Sequence, residues 1–110
     1  QKVLELKLLD VGKTQKEINE ELTKLKIEQL TKEIELEPDD AAAYYNLGIP
    51  KYDLEDYKGA IEDYTKAIKL DPEYTDGYYN MGNALKDQGK LDEAIEFYNK
   101  TILKLKDLDW

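Results

Sequence analysis

The chain has 110 residues, with 16 lysines against 25 acidic residues and a net charge of −9, which suits one domain with one modest core. It contains no histidine, cysteine, arginine or serine, which excludes disulfide staples, thiolate metal sites and most hydrolytic nucleophiles and general bases. The acidic balance excludes binding to a phosphate backbone, and no run of about 18 apolar residues is available to span a bilayer.

A short helix is expected over residues 2–10, joined through Val11-Gly12-Lys13 to a longer one. Thr14-Gln15-Lys16-Glu17 has the form of a capping box, and Ile18, Leu22, Leu25, Leu30 and Ile34 recur on one face. Pro38 should stop that helix, so residues 1–40 are expected to form an N-terminal helical hairpin. Asp40 can cap a helix beginning at Ala41, in which Tyr44, Leu47, Gly48 and Tyr52 share a face. Pro50 lies in its third turn and removes the bond to the Asn46 carbonyl, at a cost of about 3 kcal/mol in a helix interior. The helix should therefore kink there or end early. Asp56 can cap the next helix, whose stripe runs Tyr57, Ala60, Ile61, Tyr64, Ala67 and Ile68 before Pro72. A further pair follows: Tyr78, Met81, Gly82 and Leu85, a turn at Gly89, then Leu91, Ala94, Ile95, Tyr98, Ile102 and Leu105.

The second pair repeats the first. Laying residues 41–74 on 75–108 gives eleven identities, among them Tyr44/Tyr78, Tyr45/Tyr79, Asn46/Asn80, Gly48/Gly82, Ala60/Ala94 and Tyr64/Tyr98. An aromatic, then Leu-Gly, then Ala60, Tyr64, Ala67 and a closing Pro72 resemble the tetratricopeptide repeat (TPR) family. Tyr78, Met81-Gly82, Ala94 and Tyr98 meet the pattern again. Residues 27–38 match 61–72 at seven of twelve positions, but Lys26 and Glu33 stand where the better repeat has Ala60 and Ala67. That stretch resembles a degenerate repeat. The resemblance implies an all-α fold, a right-handed solenoid of helical hairpins with repeats at 41–74 and 75–108. Glycine and alanine should let paired helices approach closely, with Tyr rings filling the gaps between successive hairpins.

Several fragments of chemical motifs have simpler readings. Gly12-Lys13-Thr14 lacks the earlier glycine of a phosphate-binding loop, where Lys7 stands, and serves as a helix stop followed by a cap. The acidic run from Asp71 to Gly77 has Asp76 at the place a calcium loop requires glycine. Glu20 and Glu21 are adjacent in a helix and face apart. No catalytic residue, metal ligand or cofactor is expected.

The resemblance implies instead a concave groove lined by the inner faces of the first helix of each repeat. Carried over, those positions are Tyr45, Asn46, Ile49 and Tyr52, then Tyr79, Asn80, Asn83 and Lys86. Tyr and Asn supply contact area and adaptable hydrogen bonds for a protein or peptide partner. Removing Tyr45 or Asn83 is expected to weaken binding and leave the melting temperature nearly unchanged. The two-Asn, two-Lys, one-Arg carboxylate clamp of some co-chaperone relatives is not expected, because Asp76 and Asn80 stand where its Lys and Arg belong. At the other end, Leu91, Ile95, Ile102, Leu105 and Trp110 form an apolar edge with no following helix to cover it. A homodimer through that edge is expected, unless residues 103–110 fold back over it.

The leading function is a protein–protein interaction scaffold in a reducing, cytoplasmic setting, with neither nucleic acid nor membrane as a partner. The chain begins at Gln1 without a methionine, as a trimmed piece would. Two rivals remain open: an engineered scaffold whose N-terminal hairpin serves assembly, and a regulatory domain of a larger enzyme.

Overall fold

The structure, a computed structural model, describes residues 12–108. Among these residues there are five α-helices and no strand: α1 (Gln15–Leu36), α2 (Ala41–Asp53), α3 (Tyr57–Leu70), α4 (Thr75–Asp87) and α5 (Leu91–Leu108). The expected helix at 2–10 lies outside them.

Three of the five starts follow from side-chain caps. The Thr14 hydroxyl accepts from the Glu17 amide while the Glu17 carboxylate accepts from the Thr14 amide, a reciprocal box that opens α1. Asp40 accepts from Ala42 N–H and Asp56 from Gly59 N–H, opening α2 and α3. The ends are equally local. After α2 the Asp56 amide donates to the Lys51 carbonyl and the Glu55 amide to Tyr52; after α4 the Lys90 amide donates to Leu85 and the Gly89 amide to Lys86. This closure needs a left-handed residue at its corner. Gly89 takes it at φ 82°, and Glu55 takes it at φ 64°.

α2 packs on α3, α3 on α4 and α4 on α5, as two hairpins stacked side by side. The crossings depend on missing side-chain bulk. A Cβ on Gly48 would lie 2.5 Å from the Tyr64 ring, and one on Gly82 would lie 2.5 Å from the Tyr98 ring. Tyr64 and Tyr98 therefore fill space within each hairpin, and Tyr64 also shares a core cluster with Met81 and Leu85 of the second hairpin. Ala60, Ala67 and Ala94 are buried beside them, together with Met81 and Leu85.

Pro50 does not end its helix. α2 continues to Asp53 and has the same 13 residues as α4. The ring is buried at the position held by the buried Ala84 in the second hairpin, and the Pro50 carbonyl still accepts from Leu54 at 3.1 Å. Burial of the ring and resumption of bonding one turn later offset the lost donor.

α1 departs further from a repeat. It is one 22-residue helix in which no residue is buried, and residues 27–36 are simply its C-terminal half. It packs on α2. Lys26 and Glu33 are exposed. Long side chains stand there in place of the buried Ala60 and Ala67 of α3.

Candidate functional site

The residues expected in the groove project from α2 and α4. Asn46, Tyr79 and Lys86 are exposed, while Tyr45, Ile49, Tyr52, Asn80 and Asn83 are half-buried. The half-buried members are tied to one another. Tyr98 O–H donates to Asn83 Oδ1 at 2.6 Å, the Asn83 amide donates to Asn80 Oδ1 at 3.4 Å, and the Asn80 amide donates to the Tyr45 oxygen at 2.6 Å. This ladder runs from α5 across α4 to α2. A second tie joins the hairpins, with Tyr52 O–H donating to the Asp87 carboxylate.

The rings are anchored as well. The Tyr45 ring stands edge-on to Tyr74 with centroids 5.0 Å apart, and 5.7 Å from Tyr64. Tyr79 lies 5.9 Å from Tyr98, and Tyr52 5.4 Å from Tyr57. Burial pushes the Tyr45 phenol pKa up, with the Asp76 charge adding to it. The bond to Asp87 pushes Tyr52 up to about 12, helped by burial and by the Asp87 charge. Both phenols stay neutral at ordinary pH. Tyr45 accepts from Asn80, so its own O–H remains a donor.

Tyr45 is therefore more than a surface contact. Its ring packs on the core, so replacing it with alanine costs stability, and the expectation of an unchanged melting temperature does not carry over to it. Asp87, Tyr74 and the Tyr98 hydroxyl belong to this surface and were not among the expected groove residues. Asp53/Asp87 is one of the repeat identities, so a signal for Asp87 existed. The other two depend on how α3 and α5 lie against α4, which periodicity does not specify.

One half-buried polar pair of the first hairpin has apolar counterparts in the second. Lys51 Nζ stands 2.8 Å from Asp63 Oδ2, an oxygen with no hydrogen-bond partner otherwise among the described residues. Burial raises the Asp63 pKa, and Lys51 opposes that rise. The second hairpin has Leu85 and Phe97 at these positions.

The expected self-association residues sit apart from the groove, on α5. Leu91, Ile95, Ile102 and Leu105 are exposed, the two isoleucines by 54% and 51%. Ile61 and Ile68, their counterparts on α3, are half-buried under α4, where Gly77 lies against Ile68. Trp110 lies outside the described residues.

Sequence comparison agrees with this architecture. Residues 51–89 match a family model described as TPR repeat, and residues 75–107 match one described as tetratricopeptide repeat. The chain belongs to the tetratricopeptide repeat family. Solved TPR structures resemble it closely. A crystal structure of MamA is 34% identical over 88% of this chain and 52% of its own, with a TM-score of 0.73. MamA from Desulfovibrio magneticus RS-1 is 26% identical over 94% of this chain and 53% of its own, with a TM-score of 0.78. The second TPR of Spaghetti (RPAP3), bound to the HSP90 peptide SRMEEVD, is 28% identical over 74% of this chain and 75% of its own, with a TM-score of 0.71. The chain spans about half the length of the MamA structures it matches. No curated protein sequence matches it. This TPR chain has no helix, among the described residues, long and apolar enough to cross a membrane.

Proposed function

We propose that the α2–α4 groove is a peptide-binding surface and that the chain acts as a non-catalytic interaction scaffold. The observation that carries this reading is the ladder from Tyr98 to Tyr45. It holds amide and phenol groups in place before any partner arrives, so little side-chain entropy is lost on binding. Tyr79, half-exposed beside it, offers an aromatic face, and the Tyr45 O–H offers a donor to a peptide carbonyl. The RPAP3 domain, bound to an acidic-ended peptide, supports peptide capture as the mode. The sign of the charge differs here. Asp76 and Asp87 flank the groove, Lys86 is its one cation among the eight groove residues, and the whole chain carries −9. A neutral or basic peptide suits this surface better than an acidic one.

An array of basic, neutral and acidic heptapeptides, probed with the wild type, Tyr79→Ala and Tyr45→Phe, tests the reading. Basic or neutral peptides should bind, and both variants should lose about 1–2 kcal/mol of binding while keeping their helical circular dichroism. Equal binding by both variants would move the site off the groove. Selection of acidic peptides would leave the groove in place and refute the charge argument.

A further inference from the structure

We propose that the exposed face of α5 binds a second copy of this chain, the two α5 helices packing antiparallel about a two-fold axis. This does not depend on the groove. Leu91, Ile95, Tyr98, Ile102 and Leu105 follow one another at intervals of four, three, four and three residues, the spacing of a two-helix seam. Four of the five are exposed, and the fifth, Tyr98, is half-buried with its hydroxyl turned to Asn83. On one side of the seam Ala94 and Thr101 are buried against the body of the domain. On the other, Asp92, Asn99 and Lys106 form an exposed border, each one residue beyond a seam position.

That border identifies the occupant. Asp92 stands seven residues before Asn99 and Lys106 seven after it. When two such helices run antiparallel, equivalent borders lie along each other, so Asp92 meets the partner's Lys106, Asn99 meets the partner's Asn99, and Lys106 meets the partner's Asp92. Both ion pairs form from one pattern, as an isologous contact requires. A parallel pair would place the two borders on opposite sides of the seam, so neither Asp92 nor Lys106 would meet the partner's border. The wider distribution has the same sense, with Asp92, Glu93 and Glu96 in the first half of α5 and Lys100, Lys104 and Lys106, against Asp107, in the second. Lys100 leans over the Phe97 ring and Lys104 over Tyr78, so Lys106 is the cation that borders the seam. Within the chain the equivalent face of α3 is already covered by a helix, α4, with Gly77 on Ile68. A face of this type accepts a helix.

Sedimentation equilibrium of the 110-residue chain at micromolar concentration should give a dimer. Ile95→Lys with Ile102→Lys should give a monomer of unchanged helical content. Asp92→Lys opposes two like charges at both ends of the seam and should raise the dimer Kd on the order of ten-fold at low salt. Adding Lys106→Asp should restore it. A wild type that sediments as a monomer overturns the proposal, whether α5 stays bare or is covered by another part of the chain or another protein. So does a dimer indifferent to Asp92→Lys, or one that the charge swap fails to restore.

Discussion

Glu55 and Gly89 occupy the same corner of two equivalent turns, and only one of them suits it. A side chain at φ 64° crowds the following carbonyl, which costs roughly 1–2 kcal/mol, whereas glycine at φ 82° carries no such penalty. The turn forms regardless, because its two closing hydrogen bonds and the packing of α2 on α3 determine the corner geometry. Glu55→Gly should therefore stabilise the domain by about 0.5–1 kcal/mol, after allowance for the greater freedom of glycine in the unfolded chain. Urea denaturation would show a raised midpoint at constant slope. A lowered midpoint would mean that the Glu55 side chain makes a compensating contact.

Paired helices tolerate different solutions to the same packing problem. Between α2 and α3 the Lys51–Asp63 ion pair stands where α4 and α5 use Leu85 and Phe97. Removing charges from water is costly, and a well-packed apolar pair often does better by about 1–4 kcal/mol. The double substitution Lys51→Leu with Asp63→Phe should stabilise the domain within that range. Lys51→Leu alone should destabilise it by about 1–3 kcal/mol, because the carboxylate is left without its cation. Acid should reveal the same imbalance. The folded-state pKa of Asp63 is raised, so the native state holds its proton more tightly than the unfolded chain. The Asp63 contribution therefore becomes more favourable as pH falls from neutrality through that raised pKa. Wild type minus Asp63→Asn stability, measured by denaturation across pH 7 to 4, should rise on acidification. A flat difference would show that Lys51 fully compensates the burial.

Across the molecule, stability should be graded. Among the described residues, α2, α3 and α4 each have a helix on both sides, while α1 buries no residue and one face of α5 is exposed. In a stack of this kind stability is a sum of repeat and neighbour terms, so terminal elements open first. Native-state hydrogen exchange should find the slowest amides in α3 and α4, and faster exchange along α1. If α1 exchanges as slowly as α3, its half-buried contacts with α2 carry more energy than their exposure indicates.

How much of this was legible follows from which forces act locally. The eleven identities at a shift of 34, the apolar stripes and the capping residues Thr14, Asp40 and Asp56 pointed to five helices, three of their starts and the two hairpins, because capping and periodicity depend on neighbours a turn away. Gly48 opposite Tyr64 was readable as a close approach, but the ring's place inside its own hairpin was not. Pro50 shows where local reasoning stops: its missing donor predicts a break, and burial of its ring keeps the helix whole to Asp53. The outer rungs of the hydrogen-bond ladder, the Tyr52–Asp87 tie and the Lys51–Asp63 pair each join side chains separated by 12 residues or more in sequence. Their formation depends on how helices rotate and slide against each other. That is settled by packing over the whole interface, so only the tertiary structure could decide which polar groups would find partners and which would remain for a ligand.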